Sequence, residues 1–188
     1  MLKDLIRKSL VWSSKDLIFP LDSRRTGYRL LDEVLPGGGW PKNGLTEIVS
    51  DGVGMGGLRL LLPAIAEATN MRGKVVCVDP PHKLYPSSLL VEGLNLSNFL
   101  IIKPSETLSA RNYKVLSIYE DALKCEGCLI ALFWAKSISF GNFRRLQLAA
   151  VSGDTWGIVF RSAEAAYQPS PSPLRISLQL SSLDLDIQ

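Results

Sequence analysis

The chain has 188 residues, the length of one α/β domain, and its 46% hydrophobic and 21% charged residues exclude an intrinsically disordered protein. A formal net charge of +3 is too small to indicate nucleic-acid binding by itself, and no apolar run reaches the roughly 18 residues of a membrane-spanning helix. Cys125 and Cys128 have the spacing of a redox or zinc pair, but the chain has no second pair and a single histidine, so we expect the three cysteines to be structural thiols in a reducing cytoplasm.

The first predicted element is a short amphipathic helix at the N-terminus. Leu2, Leu5 and Ile6 recur at helical spacing between charged residues. The pattern leaves two interpretations open: the helix packs on its own domain, or its apolar face docks on a partner protein. A polar linker follows the helix. We therefore predict an N-terminal helix and linker at residues 1–25 and an α/β domain at residues 26–188.

The stretch from Thr46 to Pro63 is central to the prediction. An apolar strand breaks into a glycine-rich turn, and a helix follows at Leu58–Ala68, starting near Leu60 because Pro63 is tolerated only in a first turn. This is the layout of a phosphate-binding P-loop, which also needs a lysine for the β- and γ-phosphates and a hydroxyl for Mg²⁺. Whether Gly57 or Gly56 is taken as the last glycine of the loop, the two positions that follow it hold neither a lysine nor a hydroxyl residue. The predicted degenerate loop consists of Gly52, Gly54, Gly56, Gly57, Leu58 and Arg59.

Strands and helices alternate through the rest of the chain, which predicts a mostly parallel sheet flanked by helices. Apolar runs predict buried strands at Val75–Val78, Phe99–Ile102, Cys128–Trp134 and Thr155–Phe160. Helices are predicted at Ser87–Leu94, Ser109–Lys124 and Phe143–Val151. From Leu174 to Leu180 apolar and polar residues alternate, which predicts a half-exposed edge strand.

Two further features bear on chemistry. Arg144 and Arg145 are adjacent on a predicted helix and could bind phosphate or an acidic partner, but two charges do not make a patch and a solvated helix face explains them more simply. His82 is the single histidine and has no nucleophile or carboxylate at motif spacing. We therefore predict no catalytic residue and no metal ligand.

The segment around the glycine loop resembles the front of a RecA-type ATPase core. The matching residues are Thr26, Gly27, Leu31, Asp32, Gly37 to Gly39, Pro41, Gly44, Glu47 and Ile48, followed by Asp79 and His82. In that family the second strand ends in Asp-Ala-Glu-His, and its catalytic glutamate falls here on Pro81. The Mg²⁺-binding carboxylate that should follow Cys128–Trp134 is also missing, since the chain continues with Ala135 and Lys136. The resemblance implies a RecA-like P-loop NTPase core without hydrolysis and without a bound cofactor.

Four collinear blocks resemble the SulA/ImuA family of bacterial SOS-response proteins, and its ImuA branch most closely. They are LPGGGWPKNGLTE at 35–47, GMGGLRLLLPAIA at 54–66, RRLQLAA at 144–150 and QPSPSPLR at 168–175. The resemblance implies a non-catalytic accessory protein of error-prone translesion DNA synthesis, induced by DNA damage. Its implied partners are an ImuB-like protein, RecA and an error-prone polymerase, bound in part through Leu2, Leu5, Ile6, Arg144 and Arg145.

Two alternatives remain open. The SulA branch of the same family implies a cell-division inhibitor that binds FtsZ. A third hypothesis is a nucleotide- or DNA-binding RecA-like ATPase with unusual ligands, in which Arg59, Lys42 or Lys136 replaces the lysine and Arg144 and Arg145 contact DNA. The absence of a carboxylate where the metal needs one argues against this third hypothesis.

Overall fold

The computed structural model describes residues 23–50, 57–104, 108–135 and 137–178. The predicted N-terminal helix with Leu2, Leu5 and Ile6 lies outside the described residues, as do Lys136 and the loop glycines Gly52, Gly54 and Gly56. The described residues belong to two compact units, one within Met1–Pro41 and the other within Lys42–Gln188. The domain boundary that the sequence predicts at residue 25 stays a prediction.

In its described part, residues 23–41, the first unit contains one short helix and a two-stranded ribbon. Its elements are β1 (Ser23–Arg24), α1 (Arg29–Val34), a 3₁₀ turn (Pro36–Gly38) and β2 (Trp40–Pro41), and β1 pairs antiparallel with β2. The backbone N–H of Thr26 donates to Asp32 Oδ1 at 2.9 Å. This bond, followed by one from the Thr26 hydroxyl, lowers the pKa of Asp32. The carboxylate thus fastens the chain ahead of α1 to the first turn of the helix.

The second unit alternates strands and helices, as the sequence predicts. Its elements are β3 (Gly44–Ser50), α2 (Gly57–Asn70), β4 (Lys74–Val78), α3 (Pro86–Val91), a 3₁₀ turn (Leu96–Asn98), β5 (Phe99–Ile102), α4 (Leu108–Lys124), β6 (Cys128–Trp134), α5 (Phe140–Ser152), β7 (Trp156–Ser162), a 3₁₀ turn (Ala163–Tyr167) and β8 (Leu174–Leu178). The six strands β3 to β8 form one sheet in the order β5-β4-β6-β7-β3-β8, and every neighbouring pair is parallel. The predicted mostly parallel α/β fold is confirmed.

Helices α4 and α5 cover one face of the sheet. Tyr119 of α4 is fully buried there, and its hydroxyl donates to the carbonyl oxygens of Ile158, at 3.2 Å, and Ala131, at 3.3 Å. Burial raises the pKa of Tyr119 well above its usual value. Gly157 makes room for this ring, because a Cβ at that position would lie 2.8 Å from the Tyr119 hydroxyl and 2.4 Å from Leu45. The core therefore depends on a glycine near the beginning of β7.

Helix α2 begins earlier than the sequence predicts. It starts at Gly57, so Pro63 lies inside the helix and not in its first turn. A proline there has no N–H for the carbonyl of Arg59, a loss that usually bends a helix or costs about 3 kcal/mol. Leu61, Ala64, Ile65 and Ala68 are buried around it. Burial of this apolar face is the interaction that offsets the missing hydrogen bond.

Strand β5 corrects another prediction. The apolar run Phe99–Ile102 predicts a buried strand, but β5 is the last strand of the sheet, and Leu100, Ile101 and Ile102 are 46%, 45% and 37% exposed. Its only neighbour in the described sheet is β4. An apolar run indicates a strand without indicating whether helices cover both of its faces. At the other edge, β8 is half-exposed, which confirms the prediction from its alternating pattern.

Candidate functional site

The carboxyl ends of the parallel strands define the candidate site. In open parallel sheets, ligands bind beyond this edge, where loops leave the strands for the helices. Strand β3 ends at Ser50 and α2 begins at Gly57, so the predicted glycine loop connects the two at this edge. Gly57, Leu58 and Arg59 are the loop positions that the structure describes, and they form the first turn of α2.

Gly57 is packed against the sheet. A Cβ at this position would lie 3.1 Å from Cε1 of Phe160 and 3.5 Å from Cγ2 of Ile48. Leu58 is half-buried and Arg59 is exposed. The first turn of α2 thus presents an apolar side chain and a guanidinium where a P-loop presents an ammonium and a hydroxyl.

An aromatic pair lies at the end of β6. Trp134 is the last residue of that strand, and its ring stacks on Phe160 of β7 with centroids 4.5 Å apart and planes 10° from parallel. Ala135 follows and is buried, with its N–H donating to the Phe160 carbonyl at 2.9 Å. Where a P-loop enzyme holds Mg²⁺ through a carboxylate, this chain has a stacked apolar surface. The described ranges contain no group of three His, Cys, Asp or Glu residues that could hold a metal ion.

The end of β4 is also without an acidic side chain at the expected position. Pro81, which occupies the place of the catalytic glutamate, is exposed, and so is His82. Asp79 adopts a left-handed backbone with a φ of 47°, and its N–H donates to the Ile102 carbonyl at 2.8 Å. This bond fixes the loop after β4 to the neighbouring strand β5.

The buried charged cluster of the second unit was missed by sequence reasoning. Glu47 in the middle of β3 is completely buried, and its two carboxylate oxygens bind two arginines. Arg161 Nη1 lies 2.7 Å from Oε1, and Arg175 Nε lies 2.6 Å from Oε2. A glutamate inside an apolar strand is the signal that could have revealed the cluster, because a buried carboxylate requires partners.

Further donors of the two arginines are bound inside the domain. Arg161 Nη2 donates to Gln168 Oε1 at 2.6 Å, and its guanidinium lies 5.7 Å from the centre of the Phe143 ring. Arg175 donates to the carbonyl oxygens of Ala166, at 3.1 Å, and Gln168, at 2.9 Å. The cluster therefore joins β3, β7, β8 and the turn between the last two strands. With its donors engaged inside the protein, it is a structural element and not a ligand site.

The two predicted partner-binding arginines differ from each other. Arg145 Nε lies 2.9 Å from Glu120 Oε2, and Lys124 lies 2.7 Å from the other oxygen of the same carboxylate. Arg145 thus links α5 to α4, whereas Arg144 is exposed. Gln147 of the same block accepts a hydrogen bond of 2.7 Å from the Leu45 N–H, at the beginning of β3. Part of the block RRLQLAA is therefore occupied by contacts inside the domain, and Arg144 is its solvent-facing cation.

The cysteines have ordinary structural environments. Cys77 and Cys128 are buried, and burial raises the pKa of each thiol to about 12. Cys125 is exposed. All three are free, as predicted, and a thiol with such a raised pKa is a poor nucleophile and metal ligand at neutral pH.

A shallow cleft lies beside the first turn of α2. It has a volume of about 470 Å³ and is bordered by α2, the loop after β4 and α3. Its lining includes Leu58, Arg59, Leu62, Lys83, Leu84 and Leu89. Two of the predicted loop positions therefore face a cleft in which four leucines lie beside charged and polar residues.

Comparison with known proteins relates the sequence to RecA. No protein-family model matches the chain. The sequence is 31% identical to the protein RecA of Phytoplasma mali (strain AT) over 112 residues, which is 55% of this chain and 33% of that protein. The chain thus spans about a third of the length of this curated relative. Its structure is similar to the crystal structure of SulA from Pseudomonas aeruginosa, with a TM-score of 0.48 and 22% identity over 62% of this chain and 97% of that one.

The parallel sheet flanked by helices and the sequence similarity to RecA confirm the predicted RecA-like α/β fold. The sequence similarity to RecA agrees with the predicted relation to RecA, and it does not distinguish the ImuA branch of the predicted SulA/ImuA resemblance from its SulA branch. Across the part of the chain that the structure describes, no helix combines the length and the apolar character needed to cross a membrane.

Proposed function

We propose that this chain is a non-catalytic RecA-like adaptor of SOS-induced, error-prone translesion DNA synthesis, acting in the cytoplasm. Its proposed partners are RecA, an ImuB-like protein and an error-prone polymerase. The observation that carries the proposal is the carboxyl edge of the sheet, where the stacked rings of Trp134 and Phe160 occupy the place of a metal-binding carboxylate. The RecA-like scaffold is retained there without the groups that phosphoryl transfer needs.

Three separate positions support the absence of catalysis. Phosphoryl transfer needs a lysine and metal ions on the phosphates and a residue that orients the nucleophile. The corresponding positions hold Leu58 and Arg59 after the loop, Trp134 at the end of β6, and Pro81 after β4. Loss of one electrostatic group at an active site usually lowers the rate by about 100- to 1000-fold. Losses at three strand ends leave binding as the function of the scaffold.

The similarity to RecA supports RecA as the first partner to test. A RecA-like chain that does not hydrolyse nucleotide cannot pass through the nucleotide-dependent states of an active protomer, so it can serve as a fixed binding platform. Arg144, exposed on α5, offers a cation for an acidic partner surface. The apolar residues Leu2, Leu5 and Ile6 are the second predicted contact.

A pull-down with the tagged full chain from DNA-damaged bacteria tests the proposal. We expect RecA, an ImuB-like protein or an error-prone polymerase in the bound fraction, and direct binding of purified RecA. The variant Arg144→Glu should weaken this binding. Lys103→Glu is the matched control, because Lys103 is an exposed cation after β5, on a different element of the domain.

Other outcomes would overturn the proposal. FtsZ in the bound fraction, together with inhibition of its GTPase activity, would assign the chain to the SulA-type division inhibitors. Saturable ATP binding with turnover that Arg59→Ala abolishes would favour an ATPase with unusual ligands. Salt-dependent binding to DNA alone, without any of the proposed partners, would favour a nucleic-acid-binding protein.

A further inference from the structure

Helix α5 has apolar side chains on its solvent side as well as on its buried side. Phe140, Leu148 and Val151 are 50%, 63% and 50% exposed. Arg144, which lies between Phe140 and Leu148, is exposed as well. At about 100° per residue these four positions, here called the outer stripe, fall within an arc of about 80° around the helix. The residues that pack on the core lie on the other side, and they are Phe143, Leu146, Ala149 and Ala150.

The outer stripe is unusual for a solvated helix face. A single exposed leucine needs no explanation, but contiguous exposed apolar side chains mark an interaction surface. The stripe extends about 16 Å along the helix, which is about three turns. The neighbouring helix α4 covers the same face of the sheet and exposes the charged residues Asp121 and Lys124. Charged residues are what the water-facing side of such a helix ordinarily carries, so the stripe of α5 calls for a partner.

The spacing of the outer stripe fits another helix. Phe140, Arg144 and Leu148 follow one another at intervals of four residues. Side chains at this spacing form a continuous ridge, and the ridge of one helix packs into the groove between the ridges of another. Val151 lies one turn beyond Leu148 and extends the apolar contact. The shape of the stripe therefore favours a helical partner segment.

The charge of Arg144 restricts which helix can bind. Arg145 is bound to Glu120, whose other carboxylate oxygen is bound to Lys124. Within the ranges that the structure describes, Arg144 forms no ion pair of this kind. A cation that is covered by a partner loses water, and a carboxylate on the partner compensates for that loss. The partner helix therefore needs an acidic residue opposite Arg144.

A second copy of α5 does not satisfy this requirement. In an antiparallel pair that brings Phe140 of one copy to Val151 of the other, the two Arg144 side chains start about 5 Å apart along the helix axis. Helix α5, with the sequence FGNFRRLQLAAVS, has no acidic residue to separate them. Nucleic acid fits less well too, because several cations are needed to bind its phosphates and the stripe has a single one.

We infer that the outer stripe of α5 is the surface on which this chain binds an amphipathic helix of a partner protein. The partner helix carries an acidic residue that pairs with Arg144. About one turn to each side of it, apolar residues pack on Phe140 and Leu148. The inference rests on the proposed function, because it specifies the surface of the adaptor and the chemistry of its partner.

A charge swap with synthetic helical peptides tests the chemistry of the partner. The first peptide is rich in alanine and has one glutamate, with a leucine four residues to each side. The second peptide has lysine in place of the glutamate. In ¹⁵N NMR spectra of the full chain, we expect the glutamate peptide to shift the amide signals of the outer stripe. Arg144→Glu should lose this response and respond to the lysine peptide instead.

The affinity for a purified proposed partner tests the surface. Leu148→Ser should weaken the binding by about tenfold or more, because the partner no longer covers a leucine side chain. Val91→Ser is the matched control, since Val91 is 88% exposed on α3, and its affinity should equal that of the unaltered chain. Unchanged far-UV circular dichroism verifies that both variants are folded.

The other outcomes separate the inference from the proposed function. A chain that binds none of the proposed partners would overturn the proposed function, and the peptides would then decide on the stripe alone. Partner binding that Leu148→Ser leaves unchanged, or stripe signals that neither peptide shifts, would overturn only the inference. Self-association that Leu148→Ser abolishes would assign the stripe to a second copy. DNA binding that Arg144→Glu abolishes, without a response to the peptides, would assign it to nucleic acid.

Discussion

Two glutamates in this protein are each held by two cations, in opposite environments. Glu47 lies inside the sheet with no exposed side-chain area, whereas the side chain of Glu120 lies on α4 and is 16% exposed. The partners of Glu47 are arginines that are themselves largely buried, and those of Glu120 are Arg145 and Lys124, which are about half exposed. The same charge pattern therefore has very different consequences for stability, because water solvates only one of the two clusters.

The interior of the sheet and its carboxyl edge also differ in where they carry charge. In the interior, the Glu47 carboxylate joins three strands through its two arginines. At the end of β6, the apolar ring of Trp134 stacks on Phe160. Among the described residues, the Glu47 carboxylate thus has a structural role in the interior, and the end of β6, where a P-loop enzyme places its metal-binding carboxylate, holds Trp134. This difference supports the proposal that the chain is a binding scaffold.

The largest expected effect comes from breaking the buried cluster. Arg161→Met keeps the apolar volume of the side chain but leaves the buried Glu47 carboxylate with Arg175 alone. We expect the free energy of unfolding to fall by about 3–5 kcal/mol, measured by urea denaturation. Arg144→Met, at an exposed position on α5, is the control and should change it by less than about 0.5 kcal/mol. A loss below about 1 kcal/mol for Arg161→Met would contradict the assigned role of the cluster.

A smaller effect is expected when a carboxylate is placed where it has no partners. Trp134→Asp removes the stacked ring from Phe160 and introduces a charge at the end of β6, so we expect a loss of about 2–4 kcal/mol. We also expect no ATP hydrolysis, because the lysine is still missing. Trp134→Phe preserves an aromatic contact and should cost less than half as much. Measurable hydrolysis in Trp134→Asp would show that a latent nucleotide site persists.

The free energy of unfolding should change little when the exposed cluster of Glu120, Arg145 and Lys124 loses a cation. Arg145→Met removes one of the two cations from Glu120, and Lys124 stays bound to the carboxylate. We expect a loss of about 0.5 kcal/mol or less, and a smaller one in 0.5 M salt, because surface ion pairs are screened. The comparison would fail if Arg145→Met and Arg161→Met destabilised the protein equally.

The smallest expected effect belongs to Asp32 in the first unit. Its pKa lies below the reference value of 3.8, chiefly because the Thr26 backbone N–H donates to it. A lowered folded-state pKa stabilises the protein above the unfolded value, and this contribution disappears as the pH falls through the lowered value. We expect a carboxyl-carbon NMR titration of Asp32 to have its midpoint below pH 3.8. Asp32→Asn should remove this acid-dependent contribution to stability, and a midpoint above 3.8 would refute the assignment.

Much of the fold could be predicted because local patterns determine it. The limits of β6 agree with the sequence prediction, since an uninterrupted apolar run defines them. The exposure of β5 could not be predicted in this way. The apolar run of β5 has the same character as that of β6. The two strands differ in exposure because β5 lies at the end of the strand order.

The candidate site was predictable only in part. The missing carboxylate after β6 is visible in the sequence, but the stacking of Trp134 on Phe160 depends on how β6 and β7 pair. The partners of Glu47 are 114 and 128 residues away along the chain, so no local pattern could identify them. The contact of Arg145 with Glu120 likewise depends on how α5 packs against α4.

Strand β5 also affects how the protein behaves in concentrated solution. Three consecutive exposed apolar residues on the last strand of a sheet form a template for pairing with strands of other molecules, which is the usual start of ordered aggregation. Lys103, which follows directly and is exposed, places a charge at the end of this template. In this position it acts as a gatekeeper residue, and its removal would shift the balance from dissolved protein towards precipitate without any change in the folded core.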